Sequence, residues 1–278
     1  MKIKKLLAKY QDELSGIYPE QEITAIFFRL SEHFWQINRL DLAMNPQLKT
    51  PGTELEKALE GLVRHRPWQY ITGESLFYGL PFYVNENVLI PRPETEELVN
   101  WIIEDYKNYQ EPLKIIDIGS GSGAIAISLA KHLPKSSVTA LDISEKALQT
   151  AQKNAKLNQV KINLLQADIL KGFDLSGYDI IVSNPPYVRA SEKLMMHPNV
   201  TQYEPGIALY VSDENPLIFY EKIIEISKKS GRKQNLYFEI NEYLQPELEK
   251  LLQHFSIDKY LFKKDLFGKW RMLKIFMS

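Results

Sequence analysis

An Asn-Pro-Pro-Tyr motif at residues 184–187 is the part of this sequence with the most specific chemistry. The side chain of Asn184 offers a neutral carbonyl oxygen that can accept an N–H from a planar NH2 group. The following proline disfavours a helical backbone at Asn184, and neither proline has an N–H, so the loop presents acceptors in a rigid frame. Tyr187 adds a flat face on which an amide or a base can stack. The motif therefore predicts a site that orients an NH2 nitrogen for attack on a carbon electrophile.

The residues before the motif should place it at the edge of a sheet. Residues 178–183 form a short, β-branched apolar run, which is typical of a buried parallel strand. In open α/β sheets, ligands bind at the carboxyl ends of the strands. The alternative interpretation is a proline-rich turn that only ends a core strand. A glycine-rich loop upstream favours the functional interpretation, because it supplies the second half of a transfer reaction.

This glycine-rich loop runs from Asp117 to Ala124, where a predicted strand ends and a helix begins. Its glycines allow a sharp turn and let backbone N–H groups approach a ligand at the helix N-terminus. Asp142 ends the next strand about 20 residues later, where a carboxylate can bind both hydroxyls of a ribose. Asp168 follows the third strand and can accept an adenine amino group. Together these residues predict a nucleoside-containing cofactor.

The same loop also satisfies the dinucleotide-binding pattern through Gly119, Gly121 and Ala124, so an NAD-dependent enzyme is a competing hypothesis. Two features disfavour it. The loop begins with Asp117 and has a third glycine, Gly123, a form that suits a cationic ligand bearing an amino acid better than a pyrophosphate. In addition, no His, Lys or Tyr at a predicted strand end stands out as the acid or base of a hydride transfer.

The composition is that of an ordinary globular protein, with 278 residues, 44% hydrophobic and 25% charged residues, and a formal net charge of −1. No global basic field argues for a nucleic-acid partner. The absence of cysteine excludes disulfides and thiolate metal sites and fits a reducing compartment, and no metal site is predicted. Polar residues from Lys9 to Glu13 interrupt any signal-peptide core, and no stretch approaches the roughly 20 apolar residues of a membrane span. We therefore expect a soluble, cytoplasmic protein that does not bind membranes.

The first 72 residues are predicted to be helical, because their apolar residues recur at helical spacing. Thr53 is a candidate N-cap there, with Glu56 completing a capping box. No catalytic cluster occurs in this part of the sequence. We interpret residues 1–72 as a helical domain for substrate recognition.

Residues 73–92 are predicted to form a β-hairpin linker. Two segments rich in aromatic and β-branched residues flank Asn85-Glu86-Asn87, which is the expected turn. Prolines then stiffen the entry to a helix that should begin near Glu94, whose acidic first turn complements the helix dipole. The hairpin is expected to join the helical domain to a larger domain over residues 93–278.

Strands alternate with helices from residue 113 onward, which indicates a parallel sheet. Strands are predicted near residues 113–118, 137–142, 161–165, 178–183, 235–239, 257–262 and 270–276. The last two strands are too close in sequence for a parallel crossover and should therefore pair antiparallel. The fold class expected for residues 93–278 is α/β, with a Rossmann-like seven-stranded sheet whose last strand is antiparallel.

With these motifs, the sequence resembles class I S-adenosylmethionine-dependent methyltransferases. The Asp-x-Gly-x-Gly-x-Gly loop, Asp142 and the antiparallel last strand carry this resemblance. Asn-Pro-Pro-Tyr after the fourth strand is similar to the motif of enzymes that methylate NH2 nitrogens of adenine, cytosine or glutamine.

The flanking segments resemble one family more closely, the HemK/PrmC-type protein-(glutamine-N5) methyltransferases, which modify the Gly-Gly-Gln loop of peptide chain release factors. The matching segments are Arg66-Pro67-Trp68-Gln69-Tyr70-Ile71-x-Gly73, Leu89-Ile90-Pro91-Arg92-Pro93-Glu94-Thr95-Glu96, Tyr203-Glu204-Pro205-x-x-Ala208-Leu209 and Asp265-x-x-Gly268-x-x-Arg271. One departure is Asn241, which stands where the family usually has glycine after strand five. Because Asn tolerates a left-handed backbone better than most residues, we expect the turn there to survive.

The resemblance implies a cofactor, S-adenosyl-L-methionine, which would leave as S-adenosyl-L-homocysteine. The residues implied to bind it are Asp117, Gly119, Ser120, Gly121, Ser122, Gly123, Asp142, Asp168, Ile169 and Asn184. Within this set, the glycine loop would pass around the methionine moiety and Asp142 would hold the ribose. Asp168 and Ile169 would border the adenine.

The resemblance also implies how the substrate is held. The side-chain oxygen of Asn184 and the carbonyl of Pro185 would accept the two N–H bonds of the glutamine amide, beside Pro186, and Tyr187 would pack against that amide. Asn184, Pro185 and Tyr187 are thus the expected catalytic residues. The implied partner is a class 1 release factor, and we expect a monomer with no direct nucleic-acid contact.

Two other functions are compatible with these motifs. A DNA or RNA methyltransferase acting on adenine N6 or cytosine N4 would apply the same motif to a flipped base. It predicts a basic cleft and a target-recognition insert, whereas the loop from Val188 to Pro216 is short. A non-catalytic binding module would show an eroded glycine loop or would lack Asn184, and neither is seen.

Overall fold

The computed structural model describes all 278 residues and divides into two compact units. The first unit consists of Met1–Glu74 and His197–Tyr203, and the second of Ser75–Met196 and Glu204–Ser278. None of the helices combines the length and the apolar character that crossing a membrane requires.

The elements alternate between helices and strands after the first five helices. The helices are α1 (Ile3–Leu14), α2 (Glu20–Trp35), α3 (Arg39–Met44), α4 (Glu54–Val63), α5 (Trp68–Thr72), α6 (Pro93–Tyr106), α7 (Ala124–His132), α8 (Glu145–Leu157), α9 (Pro198–Tyr203), α10 (Ile218–Ser230) and α11 (Gln245–His254). The strands are β1 (Glu74–Phe77), β2 (Leu80–Tyr83), β3 (Lys114–Ile118), β4 (Ser137–Asp142), β5 (Asn163–Gln166), β6 (Ile180–Ser183), β7 (Val188–Arg189), β8 (Tyr210–Val211), β9 (Gln234–Glu239), β10 (Tyr260–Lys264) and β11 (Trp270–Met277). Short 3-10 helices cover Ile169–Lys171, Ala190–Met195, Gly206–Ala208 and Glu242–Leu244.

The first unit is built around the apolar faces of its helices. Tyr10 of α1 is fully buried, packs edge-on against Phe27 of α2 and donates its hydroxyl to the carbonyl of Leu55 at 2.6 Å. The segment 197–203 belongs to this unit, and in it the hydroxyl of Tyr203 donates to the carbonyl of Arg64 at 2.8 Å. The long sequence separation of this bond explains why sequence patterns gave no sign of it.

The predicted capping box at Thr53 is wrong. Thr53 precedes α4, but its side chain makes no capping hydrogen bond. Its backbone has φ −114° and ψ 10°, whereas a capping side chain needs an extended backbone to reach the next N–H groups. A capping box does form at Asn38 and Asp41, at the start of α3.

The second unit contains the seven-stranded sheet, in the order β10-β11-β9-β6-β3-β4-β5. β11 runs antiparallel to both of its neighbours, while β9, β6, β3, β4 and β5 pair in parallel. The predicted Rossmann-like sheet with an antiparallel last strand is therefore confirmed. The register places Ile118 of β3 opposite Ser183 of β6, so the glycine loop and the Asn-Pro-Pro-Tyr motif leave the sheet side by side.

Helices cover both faces of this sheet, as parallel strands require. On one face, Ile115 and Val182 pack in a buried cluster with α6, α7 and the β1–β2 hairpin. On the other face, Ile116 and Ile181 pack with α10 and α11. α6 begins with Pro93 at its first position and has Glu94 and Glu96 in its first turn, as predicted.

The hairpin exists, but its predicted turn is in the wrong place. β1 and β2 are joined by Tyr78 and Gly79, both with positive φ (50° and 72°), the conformation of a two-residue type I′ turn. Glycine adopts this conformation without strain, and the backbone N–H of Tyr78 is held by Glu96 at 2.9 Å. Asn85 and Asn87 instead form a local Asx turn after the hairpin, with the N–H of Asn87 donating to Asn85 Oδ1 at 2.9 Å.

One face of α8 anchors the segment that follows the hairpin. Asn154 is fully buried, accepts the N–H of Tyr83 at 2.7 Å, and donates to the carbonyls of Tyr83 and Ser122 at 3.0 and 2.9 Å. One turn later, Asn158 donates to the carbonyl of Pro81 at 2.8 Å. These bonds connect β2 to the residue before Gly123, and so couple the hairpin to the glycine loop.

We expect the Asn154→Ala variant to be destabilised by about 3 kcal/mol. The substitution removes three hydrogen bonds to backbone groups of Tyr83 and Ser122, of which the one to Ser122 is buried, and a buried group left without a partner costs about 1 to 3 kcal/mol. Urea unfolding measures the change in the free energy of unfolding. Gln149→Ala, at an exposed position of the same helix, is the control and should change it little. An Asn154→Ala variant as stable as Gln149→Ala would contradict this anchoring role.

Candidate active site

The glycine loop is tied to the end of β4. The N–H groups of Gly119 and Ser120 both donate to the carbonyl of Leu141, at 2.8 and 3.0 Å, and the N–H of Gly121 donates to Asp142 Oδ2 at 2.8 Å. The expectation that the loop offers its N–H groups to a ligand is therefore wrong for these three residues. Their bonds shape the loop instead, because β4 ends beside β3 and its last acceptors lie within reach.

Two glycines of the loop face open space and one faces protein. Gly119 and Gly121 have positive φ (75° and 54°), and a Cβ built on either would meet no atom within 4 Å. At Gly123 (φ 81°), a Cβ would come to 3.0 Å from side-chain carbons of Ala151 and Ile127. Gly123 thus lets the loop pack closely on α8, while the other two leave room for a ligand.

Asp142 ends β4, and Asp168 follows the neighbouring strand β5. Asp142 is 8% exposed, and its two oxygens accept the N–H groups of Ser144 and Gly121, both at 2.8 Å. Burial raises its pKa, and these hydrogen bonds oppose the rise. Asp168 accepts the N–H of Leu170 at 3.0 Å and so caps the short helix that contains Ile169. Each carboxylate oxygen can accept more than one donor, so both groups can still bind a hydroxyl or an amino group.

Asp117 is completely buried at the start of the loop. Its Oδ2 accepts the N–H of Ala126 at 3.2 Å, whereas Oδ1 has no hydrogen-bond partner. Burial raises the pKa of Asp117 to about 7. A carboxyl group in this state is poised to ionise when a cation approaches.

A cavity at the carboxyl ends of the parallel strands brings most of the predicted site residues together. Its walls include Gly119, Gly121, Asp142, Asp168, Ile169, Asn184, Pro185 and Pro186. Asp117, Ser120, Ser122, Gly123 and Tyr187 are not among its lining residues. A larger cavity at the opposite edge, near the start of β3 and β9, is lined by none of the predicted residues.

Asn184 is held by a chain of hydrogen bonds that sequence reasoning did not find. Its Nδ2 donates to Thr95 Oγ1 at 3.2 Å, and the Thr95 hydroxyl donates to Glu239 Oε2 at 2.6 Å. The hydroxyl of Tyr187 donates to the other oxygen of Glu239, Oε1, at 3.0 Å. Burial and the negative charge of Glu239 raise the pKa of Tyr187, so its hydroxyl keeps its proton.

The position of Glu239 at the end of a predicted strand could have identified it from the sequence as a residue of the site. β9 lies next to β6 with Phe238 opposite Ser183, so the next residues, Glu239 and Asn184, follow at the same level. A charged residue that ends a buried strand is exceptional and needs a partner. Thr95 gave no such signal, because it comes from the first turn of α6, distant in sequence.

Glu204 joins two segments that line the cavity. Its side chain is 1% exposed, accepts the N–H of Ile90 at 3.2 Å and pairs with the guanidinium of Arg92. Residues 87–89 before this contact and Pro205 after it both line the cavity. This ion pair therefore fixes one wall of the site. Both residues lie in segments that carry the family resemblance. Their pairing could not be predicted from the sequence, because more than a hundred residues separate them.

Asn241 departs from the expectation of a left-handed turn. Its backbone is extended (φ −73°, ψ 130°), and its side chain accepts the N–H of Tyr243 at 3.0 Å. Asn241 therefore caps the short helix Glu242–Leu244. The turn survives because the side chain satisfies the backbone, and no left-handed conformation is needed.

Comparisons with known proteins agree with this geometry. The family model described as "Methyltransferase small domain" matches residues 100–202. A release factor glutamine methyltransferase of Flavobacterium psychrophilum is 49% identical over 282 residues, which cover 99% of each chain. Proteins with the same description from Bacteroides thetaiotaomicron and Streptococcus pneumoniae are each 38% identical and cover 97% and 99% of this chain, and 98% of their own length.

Among solved structures, the hMettl16 catalytic domain in complex with a 3′UTR hairpin is similar, with a TM-score of 0.57 and 19% identity. The match covers 72% of this chain and 77% of the hMettl16 chain. At this level of identity the likeness shows a shared fold and does not extend to the substrate.

We expect the buried carboxyl of Asp117 to make stability depend on pH. Its pKa is about 7 in the folded protein, above the ordinary value of 3.8, so the folded state holds its proton while the unfolded chain loses it as pH rises. Stability is therefore lost between these two values. The wild type loses about 1.4 kcal/mol of unfolding free energy per pH unit in this range, and Asp117→Asn removes this loss. The difference in unfolding free energy between Asp117→Asn and the wild type should therefore shift in favour of the variant by about 3 kcal/mol from about pH 5 to about pH 8.

Urea unfolding of both proteins across this range measures the difference. Asp12→Asn, which changes an exposed carboxyl, is the control, and its free energy of unfolding should differ from that of the wild type by the same amount at every pH. A difference between Asp117→Asn and the wild type that stays constant with pH would contradict the raised pKa of Asp117.

Proposed function

Because the chain belongs to the family of release factor glutamine methyltransferases, we propose that the cavity beside Asn184 binds S-adenosyl-L-methionine and the glutamine of a Gly-Gly-Gln motif. The enzyme transfers a methyl group to the side-chain amide nitrogen, N5, of that glutamine in peptide chain release factors. The observation that carries the proposal is the register of β3 and β6, which sets a glycine loop and an amide-binding motif side by side.

The residues present fit this cofactor. Gly119 and Gly121 line the cavity and leave open space where side chains would otherwise stand. Asp142 and Asp168 present carboxylates to the same cavity after successive strands, where a ribose and an adenine amino group would bind. Asp117 begins the loop and has an unpartnered Oδ1, and its carboxyl group would ionise when a cationic amino-acid moiety binds beside the loop.

When bound, S-adenosyl-L-methionine supplies an electrophilic methyl group on a sulfonium sulfur, and the electron pair of the broken C–S bond stays on sulfur. The protein must supply orientation, because an amide nitrogen is a poor nucleophile. Asn184 Oδ1 and the Pro185 carbonyl would accept the two N–H bonds of the glutamine amide and hold its nitrogen lone pair toward the methyl group. The same acceptors stabilise positive charge on nitrogen during transfer.

No strong base is required for this reaction. The new N–C bond uses the nitrogen lone pair, and the methylated amide then releases its extra proton to water. Glu239, the buried carboxylate nearest in the hydrogen-bond chain, is already occupied by the hydroxyls of Thr95 and Tyr187. We assign it no proton transfer.

A DNA or RNA methyltransferase is not favoured. The relatives that are 38–49% identical over nearly the whole chain are described as release factor glutamine methyltransferases. The likeness to the hairpin-bound hMettl16 domain rests on 19% identity and concerns the fold.

The partner follows from the reaction. We expect a class 1 release factor as the protein substrate, with the helical residues 1–72 contributing to its recognition, residues 73–92 as the linker and residues 93–278 performing the transfer. We also expect a monomer that acts in the cytoplasm, where release factors meet the ribosome, without direct nucleic-acid contact.

The test is methyl transfer from labelled S-adenosyl-L-methionine to a purified release factor. Label should appear on the intact factor and be absent when its Gly-Gly-Gln glutamine is replaced. Asn184→Ala should lower kcat by about 100- to 1,000-fold, as does loss of one positioned group at other transfer sites. Asn163→Ala, at an exposed asparagine of β5, is the matched control and should keep full activity.

A mixed pool of DNA and RNA serves as the competing substrate in the same assay. Label on nucleic acid, or on the factor without that glutamine, would overturn the proposed substrate. Full activity of Asn184→Ala would overturn the role of the motif but leave the substrate standing.

A further inference from the structure

Asn184 can serve as an acceptor in only one of its two amide orientations. With its oxygen toward the substrate, it accepts an N–H of the glutamine amide. Rotated by half a turn, it would present its own NH2 group to the substrate's NH2 group, and two donors repel each other. The two orientations have nearly the same shape, so hydrogen-bond partners alone decide between them.

Those partners form a hydrogen-bond chain in which each donor points toward Glu239. A carboxylate can only accept hydrogen bonds, and each oxygen of Glu239 already receives a hydroxyl, from Thr95 at 2.6 Å and from Tyr187 at 3.0 Å. Thr95 has a single hydroxyl hydrogen, which is used by Glu239. Toward Asn184, Thr95 can therefore only accept, and it receives Nδ2 at 3.2 Å. The amide oxygen of Asn184 is then the atom left to bind a ligand in the cavity.

The fold protects these hydrogen bonds from water and from rearrangement. Glu239 is 2% exposed and Thr95 is 5% exposed, so few solvent molecules can compete for these bonds. The pairing of β6 with β9 sets Glu239 level with Asn184, and the start of α6 places Thr95 between them. Burial raises the pKa of Glu239, while the hydrogen bonds from Thr95 and Tyr187 and the positive charge of Arg271 oppose this rise and favour the ionised carboxylate.

We propose that Glu239 and Thr95 are positioning residues that hold the Asn184 amide with its oxygen toward the substrate. This inference rests on the proposed function, because it assigns the oxygen to an N–H of the glutamine amide. Glu239 acts through Thr95 and Asn184 and does not itself contact the reacting atoms.

Glu239→Gln is one test, because it keeps the shape of the side chain but replaces one of its two accepting oxygens by an NH2 donor. The new NH2 group can donate to Thr95, whose hydroxyl hydrogen is then released to donate to Asn184 Oδ1 in the rotated orientation. We expect kcat for methyl transfer to the release factor to fall by about 10- to 100-fold. The affinity for S-adenosyl-L-methionine and the melting temperature should not decrease, since the fold, the glycine loop, Asp142 and Asp168 are untouched.

Thr95 offers a matched pair of variants. Thr95→Val removes the hydroxyl at nearly constant shape and should lower kcat as much as Glu239→Gln does, whereas Thr95→Ser keeps the hydroxyl and should restore most of the activity. The double variant Thr95→Val with Glu239→Gln should be no slower than either single variant, because both break the same chain.

The orientation of the Asn184 amide can also be read without activity. The side-chain NH2 protons of Asn184, observed by NMR, should exchange slowly with solvent in the wild type and in Thr95→Ser. They should exchange rapidly in Thr95→Val. This measurement remains valid if the wild type transfers no methyl group to glutamine, a result that would overturn the proposed function and not the orientation.

One result would overturn the inference: a Thr95→Val variant that equals Thr95→Ser in both kcat and NH2 exchange. This pair decides the matter even if the amide oxygen of Glu239→Gln faces Thr95 and keeps kcat high, or if that variant fails to fold.

Discussion

At the centre of the sheet, β3 pairs in parallel with β6, so that Ile118 stands opposite Ser183. The buried hydroxyl of Ser183 donates to the carbonyl of Ile118 at 2.7 Å, which secures the pairing at the edge where both strands end. The two loops that follow, one rich in glycine and one rich in proline, must therefore begin next to each other. In open α/β sheets, ligands bind in the crevice at the carboxyl ends of the strands, where such loops begin. Every other feature of the site adds detail to this arrangement.

Three buried carboxyl groups show how the site is stabilised around this pairing. Asp117 is buried with one oxygen unpartnered, whereas Glu204 pairs with Arg92 and Glu239 accepts two hydroxyls. A buried carboxylate without partners is expensive, so the last two are structural restraints with their bonds complete. Asp117 differs because one of its oxygens has no hydrogen-bond partner, and this costs stability.

Prediction from the sequence was accurate where the pattern was local. The strand–helix alternation, the antiparallel last strand and the start of α6 follow from apolar periodicity, short connections and a proline at the first helical position. Errors arose where two local signals competed. The turn was assigned to Asn85–Asn87, but Tyr78 and Gly79 make a tighter one, and the cap assigned to Thr53 failed because the backbone there is not extended.

The sequence by itself determined the chemistry of the site, because residue types such as Asn184 and spacings such as that from Asp117 to Asp142 are local properties. It also determined the fold class. Only the tertiary structure decided how Asn184 is oriented and how the cavity wall is held, since Thr95, Glu239, Arg92 and Glu204 meet across long stretches of chain. Side chains brought together by sheet register and helix placement leave no periodic signal in the sequence.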